Sequence, residues 1–98
     1  MHRPAIITAF LPPSGRRGAR VKAHTRAGSA TLAYDHALSA IDNHKAAAKA
    51  LATKLDMSGY WVAGLLPNGT SSVFVLVAEY APSDEINDIE IAFSVRPR

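Results

Sequence analysis

"YWVAGLLPNGTSSVFVLVAEY", residues 60–80, is the stretch that decides the fold. Two apolar runs, 60–66 and 71–80, flank Pro67, Asn68 and Gly69. Valine and aromatic side chains fit the pleated surface of a strand, and Asn-Gly supplies the backbone freedom of a tight turn. The stretch predicts a β-hairpin, and a hairpin here commits the chain to an antiparallel sheet.

Just upstream, "NHKAAAKALATKL" (43–55) has the alanine, leucine and lysine content that favours helix. Ser39 with Asp42 three residues on forms a weak capping box, with Asp35 a rival cap. Ser58 and Gly59 offer a stop, so a helix is expected over 39–55. Ile41, Ala48, Leu51 and Leu55 recur at helical spacing as one apolar stripe. So many alanines suit a helix lying close on a sheet. His44 falls near the stripe and reads as a hydrogen-bonded packing residue.

Further out, "AIITAFL" (5–11) is β-branched and ends at Pro12 and Pro13. "ARVKAHTR" (19–26) alternates. Val21, Ala23 and Thr25 fall on one face, with Arg20, Lys22, His24 and Arg26 on the other. A turn at 27–29 leads to a short strand at 30–34. Beyond the hairpin, 81–88 is a polar connection. "IEIAFSV" (89–95) then places Ile89, Ile91, Phe93 and Val95 on one side of a last strand with one wet face. No repeat or linker divides the chain. Residues 1–98 read as one α+β domain: a single antiparallel sheet with one helix packed across it, in the order β-β-β-α-β-β-β.

Composition bounds the function. The chain has 98 residues, 48% hydrophobic and 19% charged, as expected of an ordinary globular domain. It has no cysteine, which excludes disulfides and thiolate metal sites and fits a reducing cytoplasm. No apolar run approaches the roughly 20 residues that cross a bilayer. The N-terminal "MHRPAIITAFLPPSG" reads as a first strand rather than a signal peptide. The net charge of +3 is unevenly spread: residues 1–34 carry +6 and no acid, and residues 35–98 carry −3. Such a split points to a polyanionic partner, the plainer reading being a dipolar surface.

The basic half is densest in "PPSGRRGARVK" (12–22). Its "GRRG" has the spelling of the G-x-x-G loop with which KH domains clamp a nucleic-acid backbone. A KH loop joins two helices, however, and strands flank this one. Its chemistry remains: glycines let the backbone approach phosphate, and Arg16 and Arg17 offer bidentate contacts. Arg20, Lys22, His24 and Arg26 stand about 7 Å apart on one strand face, close to the spacing of successive phosphates. These six residues are the candidate nucleic-acid-binding set. The competing reading is an edge strand protected by charge. No aromatic side chain is interleaved for base stacking. Tyr34, Tyr60 and Trp61 lie elsewhere and read as core.

Catalysis finds less support. His2, His24, His36 and His44, with Asp35 and Asp42, invite a zinc reading, but no H-x-x-x-H or H-E-x-x-H pair exists. Glu79, Asp84, Glu85, Asp88 and Glu90 read as a solvated acidic loop rather than a carboxylate metal site. Nucleophile motifs such as G-x-S-x-G are absent. Asn68, Gly69 and Thr70 spell a glycosylation sequon that a hairpin turn already explains. The expectation is a non-enzymatic protein without cofactor or metal.

The stretches "GARVKA" (18–23), "YDHAL" (34–38), "NHKAAAKAL" (43–51), "SGYWVAG" (58–64) and "VFV" (73–75) give the chain a resemblance. In order and spacing they are similar to a group of short proteins encoded by bacteriophages and prophages, over roughly residues 5 to 77. The resemblance implies a phage accessory gene product acting in the cytoplasm of a bacterial host. It implies no mechanism, because the group carries no agreed activity. Such an origin frames two expectations. The protein binds nucleic acid or a host nucleoprotein complex through its basic strand and loop. Alternatively, it is an anti-defence inhibitor, anti-CRISPR-like, that docks on a host protein and occludes it. An exposed last strand would also allow a homodimer by edge-to-edge pairing.

Overall fold

The computed structural model describes residues 4–78 and 90–97. Six strands and one helix are present among them: β1 (Ala5–Leu11), β2 (Arg20–Thr25), β3 (Gly28–Ala33), α1 (Ala40–Lys54), β4 (Gly59–Leu65), β5 (Ser71–Ala78) and β6 (Phe93–Val95). All strand pairings are antiparallel, in the spatial order β3-β2-β1-β5-β4-β6. The expected α+β architecture and element order are therefore present. Among the described residues no helix is long and apolar enough to cross a membrane.

Three hairpins build the sheet. β4 and β5 join through Pro67, Asn68 and Gly69, as the sequence predicts. Gly69 takes φ +76°, and the Asn68 carboxamide oxygen accepts from the N–H groups of Thr70 and Ser71. Asn68 is thus committed to the turn. β1 and β2 join through a hairpin closed by two bonds between Ser14 and Arg17, at 3.0 and 2.9 Å. Gly15 alone of the central pair has positive φ (+54°), the pattern of a type II′ turn. β2 and β3 join more tightly than expected. The turn falls at Arg26 and Ala27, not at 27–29, because the Thr25 hydroxyl accepts from the Ala27 N–H (3.0 Å) and stabilises it.

The helix starts as expected, with the Ser39 hydroxyl accepting from the Asp42 N–H. It ends at Lys54 with Leu55 as its C-cap, as expected, but the stop is not made by Ser58 and Gly59. Asp56 adopts φ +57°, while Asp56 N–H bonds Thr53 O and Met57 N–H bonds Ala52 O. These bonds form a Schellman motif with aspartate in the left-handed position usually held by glycine. Asp35, the rival cap, instead makes a local turn by accepting from the Ala37 N–H.

One face of the sheet covers α1. Ile6, Val21, Ala23, Trp61, Phe74, Phe93 and Val95 meet Ala47, Ala48, Leu51 and Ala52 in the core. The alanines let α1 lie close on β1, β2 and β3, and the sheet curls so that the other edge, β6, also reaches it. Trp61 stacks on Phe93 (centroids 5.7 Å, 15°), and Phe93 in turn meets Phe74 at 5.6 Å. The buried stripe of α1 differs from the expected one. Ile41 is 37% exposed, and Asn43 and His44 are buried in its place. The last strand is shorter than the expected 89–95. Phe93 and Val95 are its buried residues, Ile91 precedes it half-buried, and Ile89 lies outside the described residues.

Candidate nucleic-acid interface

The six candidate residues are all placed by the β1–β2–β3 meander. Arg20, Lys22 and His24 alternate with the buried Val21 and Ala23, so they stand on the sheet face away from α1. Register fixes their surroundings. Arg20 lies between Leu11 and Ala33, Lys22 between Ala9 and Thr31, and His24 between Ile7 and Ser29. No element covers this column among the described residues. Arg16 and Arg17 are exposed in the β1–β2 turn, beyond the Arg20 end of β2. Arg26 departs from expectation. It is exposed in the β2–β3 turn at the far end, because β2 closes at Thr25 one residue early. The structure thus joins three residues in one column and places the other three at its two ends.

The electrostatics favour an external anion. Among the described residues, no carboxylate pairs with the side chains of Arg16, Arg17, Arg20, Lys22 or Arg26. Arg20 Nε is buried with no hydrogen-bond partner there. That nitrogen faces the protein, so an external anion meets the terminal guanidinium nitrogens rather than Nε. The charge-protected-edge reading loses its basis. β2 is an interior strand paired on both sides, and the edges are β3 and β6.

The rest of this outer face is apolar. Ile7, Val62, Val73 and Val75 lie beside one another by register and are partly exposed, Ile7 by 36%. The face is therefore bipartite, basic on β2 and aliphatic on β1, β5 and β4.

A second feature lies on the helix side, at the end of the sheet carrying the arginine hairpin. Thr8 is fully buried, and its Oγ1 sits 2.6 Å from His44 Nδ1. Burial lowers the His44 pKa from its ordinary value, so the ring is neutral at pH 7. Beside it, Asn43 clamps the β3–α1 connection. Its Oδ1 accepts from Asp35 N–H at 2.7 Å, and its Nδ2 donates to Asp35 O and Ser39 O, both at 2.9 Å. Phe10 and Tyr34 meet edge to face at 5.4 Å, and Tyr34 also contacts His36 at 5.1 Å. With Ala40, His44, Gly69 and Thr70, the Phe10 and Tyr34 rings line a cleft of about 270 Å³. Sequence reading missed this cleft, although it recognised His44 as a bonded packing residue.

The zinc reading of the histidines gains no geometric support. The described residues hold no cluster of three or more metal-ligating side chains. Of the acidic run, only Glu90 lies within the described residues. No family model, curated protein or solved structure matches the chain.

Proposed function

We propose that the protein binds nucleic acid, alone or within a host nucleoprotein complex, through the outer face of its sheet. The observation that carries this reading is the column Arg20, Lys22 and His24. Lys22 and His24 are exposed and Arg20 half-buried on this interior strand, free of carboxylate partners among the described residues, with Arg16 and Arg17 at its end. Cations at strand spacing about 7 Å apart suit a phosphodiester chain, and their action is electrostatic and non-catalytic. The resemblance to phage and prophage proteins supports an accessory protein working in the cytoplasm of a bacterial host. Fluorescence anisotropy with labelled single- and double-stranded DNA and RNA tests it. Engagement of about four phosphates gives a log–log salt slope of roughly −3 to −4. Absence of binding at low salt overturns the reading.

A second reading rests on the other half of the same face. Ile7, Val62, Val73 and Val75 leave an aliphatic surface uncovered beside the cations. An exposed apolar patch with a charged border is the anatomy of a protein-docking site. It fits an anti-defence inhibitor that occludes a host protein. Capture of the tagged protein from host cells, with and without nuclease, separates the two readings. A nuclease-resistant protein partner favours docking.

A further inference from the structure

We propose that the cleft between the arginine hairpin and the start of α1 holds a single unpaired nucleobase of the bound strand, stacked on Phe10, with the perpendicular Tyr34 ring against its edge, and hydrogen-bonded by His44 Nε2. The inference rests on the nucleic-acid reading and adds to it the form of nucleic acid recognised.

Location comes first. Phe10 pairs with Val21, and one further pair, Leu11 with Arg20, precedes the segment closed by Ser14 and Arg17 that carries Arg16 and Arg17 at its tip. Tyr34 is tied to the base of that hairpin by its N–H bond to Ala19 O, at 2.9 Å. Phe10 N–H reaches Thr70 O at 3.4 Å and closes the opposite wall. An aromatic-walled cleft therefore opens on the helix side of the sheet at the end from which the exposed Arg16 and Arg17 hairpin extends. A strand whose phosphates lie on Arg16 and Arg17 has its bases within reach of it.

Size and chemistry follow. At about 270 Å³ the cleft is smaller than the roughly 300–1,000 Å³ of sites that enclose a whole small molecule. It suits one planar group, the remainder of the ligand staying outside. Phe10 is 37% exposed and offers a ring face, and the half-buried Tyr34, perpendicular to it, offers a second wall. Base–aromatic stacking is indifferent to sequence and needs only a free ring face.

His44 adds direction. Its Nδ1 is held by Thr8, so Nε2 is the nitrogen left to the cleft. The Thr8 hydroxyl proton has two destinations, Nδ1 at 2.6 Å and Ser72 O at 3.5 Å. Either direction of the Thr8–Nδ1 bond occupies Nδ1 and leaves Nε2 to a ligand. The neutral ring presents one polar nitrogen, a donor or an acceptor according to its tautomer. The complementary group is a polar edge of a base, which carries both acceptors and donors. A paired base stacked inside a duplex cannot enter, so the cleft selects unpaired bases.

The test compares a short labelled single strand with the duplex it forms with its complement. The parent protein is expected to bind the single strand about tenfold more tightly. Phe10→Leu removes the aromatic wall, and Ala40→Phe fills the cleft from the exposed first residue of α1. Each should abolish the preference and leave the salt slope unchanged. Nucleoside monophosphates should shift the His44 Nε2 resonance, while ribose 5-phosphate and inorganic phosphate should not. Salt-dependent binding without strand preference, or an unmoved His44, overturns the pocket and leaves the basic interface standing. A His44 shift with a flat salt response keeps the pocket and overturns the basic interface. Failure of both nucleic acids and nucleotides to bind overturns both.

Discussion

Thr8 and His44 meet across 36 residues of chain, the threonine hydroxyl 2.6 Å from the imidazole Nδ1. The contact ties the centre of β1 to the second turn of α1 inside the core. Removing the hydroxyl with Thr8→Val keeps the volume and strands a buried ring nitrogen. The expected cost is about 1–3 kcal/mol in urea unfolding. A cost below about 0.5 kcal/mol would show that the ring finds another partner.

The same histidine makes stability depend on pH. Burial depresses its pKa below the ordinary 6.5, so the unfolded chain takes up a proton at a pH where the folded chain does not. Stability is full above the unfolded pKa. It falls as the pH drops from about 6.5 towards the folded value, then levels off as far as this group is concerned. Urea midpoints measured from about pH 7.5 to about 5 should show the decline. His44→Gln should flatten it.

Phe93 anchors the edge strand β6 by lying between Trp61 and Phe74. Only 8% of it is exposed, and the Ala92 N–H reaches Trp61 O at 2.8 Å just before it. Phe93→Ala should cost about 3–5 kcal/mol. A change under about 1 kcal/mol in urea melts would detach β6 from the core.

The sheet was legible where the pattern is local. Alternation in β2 sorted Val21 and Ala23 from Arg20 and Lys22, and Asn68 and Gly69 marked the longer hairpin. Arg26 was misplaced because Ala27 carries no turn signal. A Thr25 hydroxyl bond shortened that turn, and hydroxyl bonding is not readable from composition. The helix end was legible to within one residue of Leu55, although the stop is made by Asp56 in the left-handed position rather than by Ser58 and Gly59. The cleft was illegible for a different reason. Phe10, Tyr34, His44 and Thr70 belong to four separate segments, and only the β1–β5 pairing and the packing of α1 unite them.

The basic column yields the sharpest test of function. Arg20→Ala combined with Lys22→Ala removes two neighbouring cations from β2. The inward Val21 and Ala23 are untouched, so far-UV circular dichroism and the urea midpoint should stay near the parent's. If both cations contact phosphate, the log–log salt slope should flatten by about two units, since each released counterion contributes about 0.9. Arg26→Ala provides an internal comparison, because the tight turn at Arg26 and Ala27 carries that side chain off the column. Its slope should change less than that of either column residue taken singly. Equal slopes for the parent and the double variant would remove the column from the interface. The aliphatic half of the same face, around Ile7 and Val73, would then be the docking surface, with a host protein as its partner.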